Sequence, residues 1–214
     1  FLARYGLART IDLYFALFAG WVLAPGLEKS LKNLYFSIEA DGHHYTMSLP
    51  AWETDYIQGR LAAQAKPYEL SMLQAMASML NEKDLILDVG ANIGNHTLYL
   101  AVVVGCQVVA FEPNPELYVP LRESIALNGL DERVTLVPKG VGEKTAKGVF
   151  SERTPSNLGA QSLSIVGESD AVDANTMEVV PLDTMTFDQP VKAIKIDVEG
   201  MELEVLRGAH ELVR

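Results

Sequence analysis

From residue 84 to the end of the chain, apolar runs alternate with amphipathic or apolar helical segments. Four short apolar runs are typical of buried strands, and they lie at 85–89, 107–111, 134–137 and 193–198. Helices are predicted after three of these runs, at about 95–104, 114–128 and 201–208. Strands that alternate with helices pair in parallel through right-handed crossovers. The pattern therefore predicts an α/β fold with a mostly parallel sheet and helices on both of its faces.

Two segments fall outside this alternation. Asp41-Gly42 is a strong hairpin-turn dipeptide, and residues 34–48 around it predict a small β-hairpin outside the main sheet. Residues 142–175 form a long polar stretch, which in a compact domain is usually functional or mobile. Residues 149–150 and 177–181 are predicted to pair around this stretch as an inserted hairpin.

The chain divides into an extension at 1–66, with a helix and the hairpin, and a main domain at 67–214, which begins with a helix predicted over 68–80. The uncharged run 13–27 is shorter than the roughly 20 residues that cross a bilayer. We expect it to form a helix that packs on the main domain or on a second subunit. A domain that stopped at the last residue here would expose its last strand as an edge, so we expect the native protein to continue.

The composition limits the classes of partner. The chain has 214 residues and a formal net charge of −11, so we expect a small-molecule substrate and no nucleic acid. Cys106 is the only cysteine, which leaves no internal disulfide and no cysteine zinc site. We expect a cytoplasmic protein without a membrane span.

The strongest functional signal is the run DVGANIGNHT at residues 88–97. An apolar strand ends in an acid and a glycine-bearing turn that opens directly into a helix, an order that presents backbone N–H groups to a nucleotide-like ligand. The spacing of Gly90 and Gly94 differs from the Gly-x-Gly-x-x-Gly dinucleotide fingerprint, and no P-loop lysine follows. Asp88 would be costly to bury unless it is hydrogen-bonded, so we expect it to hold this loop or a cationic ligand.

Further charged residues follow two later strands. Glu112 stands where nucleotide-binding α/β folds place an acid that accepts hydrogen bonds from the ribose hydroxyls. Three charges share one face of the last predicted strand, where they need pairing or a function: Lys195, Asp197 and Glu199. If this strand neighbours the first, residues 88–94 and 197–200 form opposite lips of one crevice. A Lys195–Asp197 ion pair that only braces the site is the alternative.

Four blocks occur in order: DVGANIGNHTLYLA, AFEPNPE, LNGL and IKIDVEGMELEVLRGA. Together they resemble the FkbM-type family of S-adenosylmethionine-dependent methyltransferases, over about residues 55–210. Tyr68-Glu69 and Leu182-Asp183 also match the pattern of this family. The resemblance implies a class I methyltransferase with a Rossmann-like sheet, S-adenosylmethionine as its cofactor, and O-methylation of a hydroxyl on a sugar, a polyketide or another small metabolite.

The resemblance also implies cofactor-binding positions: Glu69, Asp88, Gly90, Ala91, Asn92, Gly94, His96, Thr97, Glu112, Pro113, Gly140, Val141 and Asp197. The methionine part would lie on the first glycine loop, the ribose at Glu112 and the adenine near Gly140. A hydroxyl acceptor calls for a general base. Asp197 and Glu199 are the candidates, with Lys195 setting their ionisation or orienting the substrate. Weaker candidates for substrate contact lie in the inserted stretch: Asn157, Gly159 and Ser162.

Three alternatives stay open. An NAD-dependent oxidoreductase would need the dinucleotide fingerprint that this chain lacks. A cofactor-binding but inactive module of a larger protein would keep the crevice without turnover. A metal-assisted transferase could bind Mg²⁺ through the oxygens of Asp197 and Glu199, although no metal site is predicted.

Overall fold

A computed structural model describes residues 34–152, 154–166 and 176–214. The apolar run 13–27, for which the sequence predicts a helix, lies outside these residues. Within the described ranges, no helix is long and apolar enough to cross a membrane.

The first described elements are β1 (Tyr35–Ala40), β2 (His43–Ser48), α1 (Tyr56–Gln64) and α2 (Leu70–Ala77). Strands and helices then alternate as β3 (Leu85–Val89), α3 (Asn95–Tyr99, continued by a π-helical turn at Leu100–Val104), β4 (Gln107–Phe111), α4 (Pro115–Leu127) and β5 (Val134–Val137). The inserted part contains β6 (Gly140–Val141), β7 (Ala146–Phe150), a 3₁₀ turn at Leu158–Ala160, β8 (Leu163–Val166) and β9 (Thr176–Val180). A second 3₁₀ turn (Leu182–Thr184) leads to β10 (Val191–Ile196) and α5 (Glu202–Arg207).

The main sheet has four parallel strands in the spatial order β10–β3–β4–β5. Successive side chains of a strand point to opposite faces, and β3 buries both of its faces. Ile86 faces a core that it shares with Leu98 of α3 and Leu121 of α4. Leu87 faces a second core with Val205 of α5. Helices therefore cover both faces, and the predicted α/β class is confirmed.

The hairpin of β1 and β2 forms a separate two-stranded sheet around Asp41-Gly42, as predicted. Its inner residues Ile38 and Met47 belong to the same core as α3 and α4. Asn128, at the end of α4, accepts a 2.9 Å hydrogen bond from the Thr46 backbone N–H and donates a 2.7 Å bond to the Thr46 carbonyl. The described part of the extension thus shares its packing with the main sheet, while the domain boundary after residue 66 stays a prediction.

The inserted part is larger than the predicted hairpin. β7 and β9 pair antiparallel, with Val149 opposite Thr176 and Gly148 opposite Met177, so the predicted pairing is present. The sequence analysis did not predict β8, which pairs with the other edge of β7 and gives a second sheet in the order β6–β9–β7–β8. The strand signal of β8 is weak because Ser164 interrupts a run of only four residues.

The end of β10 differs from the prediction. The strand stops at Ile196, and residues 197–200 form a loop in which Glu199 (φ 53°) and Gly200 (φ 104°) adopt the left-handed region. Of the three charges predicted to share one face of this strand, only Lys195 lies on it. Asp197 comes directly after the strand, with its Oδ2 atom 3.8 Å from Lys195 Nζ, and Glu199 lies in the loop. β10 is also at one end of the four parallel strands rather than in their centre. Its neighbour is β3, as the crevice requires.

A buried ion pair joins β10 to β3. Asp88 and Lys195 are opposite each other in the register, and the Lys195 Nζ atom lies 3.0 Å from Asp88 Oδ1. Nζ also donates a 2.7 Å hydrogen bond to the Gly90 carbonyl, which fixes the loop after β3. Asp88 Oδ2 accepts a 2.6 Å hydrogen bond from Thr97 Oγ1 in α3. One ammonium thus ties the strand, the glycine loop and the neighbouring strand together.

Replacing Lys195 with methionine should lower the free energy of unfolding by about 3–5 kcal/mol, because a fully buried Asp88 carboxylate would lose its counter-charge. Asp88→Asn in the same chain should recover part of this loss. Urea unfolding followed by circular dichroism measures both changes. Lys192→Met, at an exposed position on the same strand, is the matched control. A Lys195→Met variant as stable as the control would show that the pair does not hold the two strands together.

Candidate functional site

A solvent-open cleft lies at the carboxyl ends of β3, β4 and β10, with the second sheet as its other wall. It encloses about 650 Å³ of space, counted out to its open mouth. Parallel α/β sheets bind their ligands at this edge because the loops after the strands converge there.

The glycine loop and the loop after β10 touch each other at one side of the cleft. Gly90 has φ +78°, and a Cβ at this position would overlap the carbonyl oxygen of Asp197. The Asp197 backbone N–H donates a 3.0 Å hydrogen bond to the Val89 carbonyl. The two segments are therefore in contact at Gly90 and Asp197, and the prediction that they form opposite lips of the cleft stays a prediction. Both Gly90 and Asp197 line the cleft, so their predicted proximity is observed.

Gly94 has a packing role that the sequence analysis did not predict. It has φ +91°, and a Cβ there would overlap the side chain of Leu121 in α4. Gly94 is not part of the cleft wall, so the structure assigns the need for glycine here to close packing of helix against loop. Asn92 instead faces the cleft, in the left-handed region at φ 53°.

Glu112 joins the first loop to the second. Its Oε2 accepts a 2.8 Å hydrogen bond from the Asn92 backbone N–H, and its Oε1 accepts a 2.8 Å bond from the Asn114 N–H. Burial raises the pKa of Glu112 to about 7, against the opposing effect of these two hydrogen bonds. Each carboxylate oxygen keeps a second lone pair, which is available to a ribose hydroxyl. Glu112 lines the cleft, as predicted.

Asp197 and Glu199 place two carboxylates at the rim of the cleft. The Asp197 side chain is 63% exposed, and its Oδ2 lies 3.8 Å from Lys195 Nζ. Burial raises the pKa of Glu199, and the charges of Asp197 and Glu202 raise it further. Glu199 therefore holds a proton more readily than an isolated glutamate does, and a raised pKa makes its carboxylate a stronger base.

Several predicted cofactor positions lie beneath the cleft or beside it rather than on its wall: Glu69, Asp88, Ala91, His96 and Thr97. Asp88 and Thr97 are fully buried and bind each other. His96 Nε2 lies 3.7 Å from Glu69 Oε2 and has no hydrogen-bond partner, and burial lowers the pKa of this histidine. Any effect of Asp88 or Thr97 on a ligand passes through the loop that they support, and direct contact from Glu69 or His96 stays a prediction.

The other predicted positions also fall into two groups, those on the cleft wall and those away from it. Pro113, Gly140 and Val141 line the cleft. Of the three weaker substrate candidates only Gly159 does so, whereas Asn157 and Ser162 do not. Eleven cleft residues carried no site prediction: Val89, Phe111, Asn114, Leu117, Lys139, Phe150, Leu158, Gln161, Leu163, Val198 and Met201. Most of them are apolar, and an apolar residue in a strand or helix gives no sequence signal that separates a cleft wall from a core.

The residues present fit an adenosyl cofactor. Because Gly90 has no Cβ, the glycine loop can lie in contact with the backbone of Asp197. The two carboxylate oxygens of Glu112 can accept hydrogen bonds from the two hydroxyls of a ribose. In the described part of the chain, no group of three His, Cys, Asp or Glu residues could hold a metal ion.

A curated protein and several solved structures are similar to this chain. The chain is 30% identical over 140 residues to the hexuronic acid methyltransferase AglP of Haloferax volcanii, an alignment that covers 65% of this chain and 56% of that protein. The chain thus spans little more than half the length of this relative.

Two solved structures are also similar. The P. horikoshii TYW2 complex with MeSAdo is 20% identical, with a TM-score of 0.37 and coverage of 50% of this chain and 36% of that chain. The M. jannaschii TYW2 complex with AdoMet is 24% identical, with a TM-score of 0.35 and coverage of 49% and 42%.

The family model for the methyltransferase FkbM domain matches residues 88–214. This match covers more than half of the chain and includes β3, β4, β10 and the cleft between their ends. The family resemblance of the four sequence blocks is therefore confirmed, together with the cofactor that it implies. The chain belongs to the FkbM family of S-adenosylmethionine-dependent methyltransferase domains.

Proposed function

We propose that this domain transfers a methyl group from S-adenosylmethionine to a hydroxyl oxygen of a sugar or a related small metabolite. The observation that carries the proposal is the contact between the Gly90 loop and the loop after β10. This contact puts the carboxylates of Asp197 and Glu199 next to the loop on which the methionine part of the cofactor is expected. A proton acceptor beside the donor methyl is what transfer to a hydroxyl needs.

The similarity to a hexuronic acid methyltransferase supports a sugar as the acceptor. A hexuronic acid offers both hydroxyls and a carboxylate as acceptor oxygens. A carboxylate acceptor is already ionised at neutral pH and needs no base, and Asp197 and Glu199 would repel it. The two acids at the rim therefore favour a hydroxyl as the methylated group.

In the proposed mechanism, the bound cofactor supplies an electrophilic methyl on a sulfonium centre. The chain itself supplies alignment, since Lys195 holds the Gly90 carbonyl and Glu112 holds the next loop in place. Glu199 would accept the proton of the acceptor hydroxyl as the new C–O bond forms and the methyl–sulfur bond breaks, with S-adenosylhomocysteine as the leaving group. Asp197, in the same loop, raises the pKa of Glu199 and would help to orient the hydroxyl. These roles use positioning and acid–base chemistry rather than covalent catalysis.

The direct test is transfer from methyl-labelled S-adenosylmethionine to matched acceptors: a neutral hexose, a hexuronic acid and its methyl ester. Transfer to a hydroxyl predicts labelling of the hexose or the ester. Label on the free acid that mild alkali releases as methanol would be a methyl ester, which would identify the carboxylate as acceptor and contradict the proposal, whereas label stable to alkali is a methyl ether on a hydroxyl. Chelator added to an active preparation separates metal-assisted transfer from transfer by a protein base. Tight cofactor binding without transfer to any acceptor would favour the inactive module.

Glu112→Gln should weaken binding of S-adenosylhomocysteine by about 10- to 100-fold, because the amide nitrogen that replaces one oxygen can accept a hydrogen bond neither from a ribose hydroxyl nor from the backbone N–H that faces it. Isothermal titration calorimetry measures the change. Glu132→Gln removes the same charge at an exposed position and should leave the affinity unchanged. Equal affinities of the two variants would remove Glu112 from the ribose site.

Glu199→Gln should reduce kcat by about 10²- to 10⁴-fold, the usual contribution of a general base. In the unmodified protein with S-adenosylmethionine saturating, so that ionisation of Glu112 does not limit the rate through cofactor binding, kcat should fall as the pH drops through the raised pKa of Glu199, since a protonated carboxyl accepts no proton. This acid limb should lie above the ordinary range of glutamate and vanish in the variant. Asp197→Asn should also abolish turnover while cofactor affinity is kept. An acid limb that persists in Glu199→Gln would assign the base to another group, and loss of cofactor binding in Asp197→Asn would make Asp197 structural.

A further inference from the structure

Residues 158–163 of the inserted stretch supply four of the residues that face the cleft: Leu158, Gly159, Gln161 and Leu163. From its sequence, this stretch was expected to contact the methyl acceptor. We propose instead that residues 158–163 form the wall over the adenosine half of the cofactor. This inference rests on the proposed function, since it takes S-adenosylmethionine as the ligand of the cleft.

The first contact is between Gly159 and Asn92. A Cβ at Gly159 would overlap the side-chain amide of Asn92, so the inserted stretch lies directly on the glycine loop at this point. Asn92 in turn donates its backbone N–H to Glu112, the residue expected to hold the ribose. The inserted stretch therefore reaches the cleft on the ribose side.

The second contact is through Gln161. Its Oε1 accepts a 3.1 Å hydrogen bond from Asn114 Nδ2, and its Nε2 donates a 3.1 Å bond to the Ser151 carbonyl. The Asn114 backbone N–H donates to the other oxygen of Glu112. Glu112 is thus linked to the inserted stretch on both sides, by way of Asn92 and by way of Asn114.

The third contact places Leu163 at the expected adenine position. A Cβ at Gly140 would lie 2.8 Å from Leu163 Cδ2, so the leucine side chain packs over the backbone of Gly140. Leu163 is opposite Phe150 in the β7–β8 register, and both side chains line the cleft. Two apolar side chains beside a bare glycine backbone form a surface suited to a flat aromatic base.

An anchor outside the cleft fixes the stretch. The buried Asp55 carboxylate accepts a 2.8 Å hydrogen bond from the Leu158 backbone N–H and a 2.9 Å bond from Gln58 N–H in α1. The Tyr56 N–H donates a 2.8 Å bond to the Ser156 carbonyl. The wall is therefore a fixed part of the fold. None of the contacts described for residues 158–163 involves Asp197 or Glu199, so the acceptor half of the cleft is left to the loop after β10.

The test measures binding of S-adenosylhomocysteine and of adenosine by isothermal titration calorimetry. Leu163→Ala should weaken both ligands by the same factor, about tenfold, because the lost apolar contact is with the base that they share. Ile165→Ala is the matched control, since it removes a similar side chain from the same strand at a position 50% exposed and outside the cleft. The control should change neither affinity by more than about twofold.

The outcomes separate this inference from the proposed function. Unmodified protein that binds neither ligand would overturn the proposed function itself. Normal binding of both ligands by a folded Leu163→Ala variant would overturn the adenosine wall alone. If thermal unfolding shows that Leu163→Ala does not fold, Leu163→Val and Gln161→Ala decide the question, each with a smaller but parallel loss for the two ligands. Loss for S-adenosylhomocysteine without loss for adenosine would also contradict the inference, because the wall would then touch the methionine part.

Discussion

The site depends on the ammonium of Lys195. It lies between the Asp88 carboxylate on the neighbouring strand and the Gly90 carbonyl in the loop that follows. A buried ion pair is stabilising only when its geometry is good and its remaining atoms are hydrogen-bonded, and Thr97 completes the set. Because these contacts join β3, β10 and the start of α3, they bring the Gly90 loop against Asp197. Without them, fewer contacts would hold the Gly90 loop, where the cofactor is expected, at a constant distance from the carboxylates of Asp197 and Glu199.

Glu112 connects this clamp to the rest of the cleft. Its two oxygens hold the backbones of Asn92 and Asn114, and burial raises the pKa of Glu112 to about 7. A carboxyl group with this raised pKa is protonated more easily than that of an ordinary glutamate. Hydrogen bonds donated by the two hydroxyls of a ribose would favour its charged form. Binding of a nucleoside and ionisation of Glu112 are therefore coupled. The same residue is linked through Asn92 and Asn114 to the second sheet, so the nucleoside side of the cleft behaves as one hydrogen-bonded unit.

The sequence predicted the features that depend on residues close to one another along the chain. The strand, turn and helix around Gly90 follow from spacing alone, and so does the hairpin at Asp41-Gly42. The sequence did not predict contacts between distant segments, such as Leu121 against Gly94 or Gln161 against Asn114. These depend on helix positions that no local pattern specifies.

The end of β10 differs from the prediction for a different reason. The prediction assumed that side chains keep alternating between the two faces of the strand beyond Ile196. The strand ends there, and Glu199 and Gly200 turn the chain into a loop. The same turn makes the rim chemically useful, since a carboxylate on the strand would be buried like Asp88, whereas Asp197 in the loop stays 63% exposed. Exposure lets the rim meet an acceptor from solvent, while the adjacent Glu199 keeps its pKa raised by partial burial and by its acidic neighbours. Two anions at this position disfavour an anionic acceptor atom and favour a neutral one that has a proton to lose. A sugar hydroxyl meets both conditions, and it does so whether or not the same sugar has a carboxylate elsewhere.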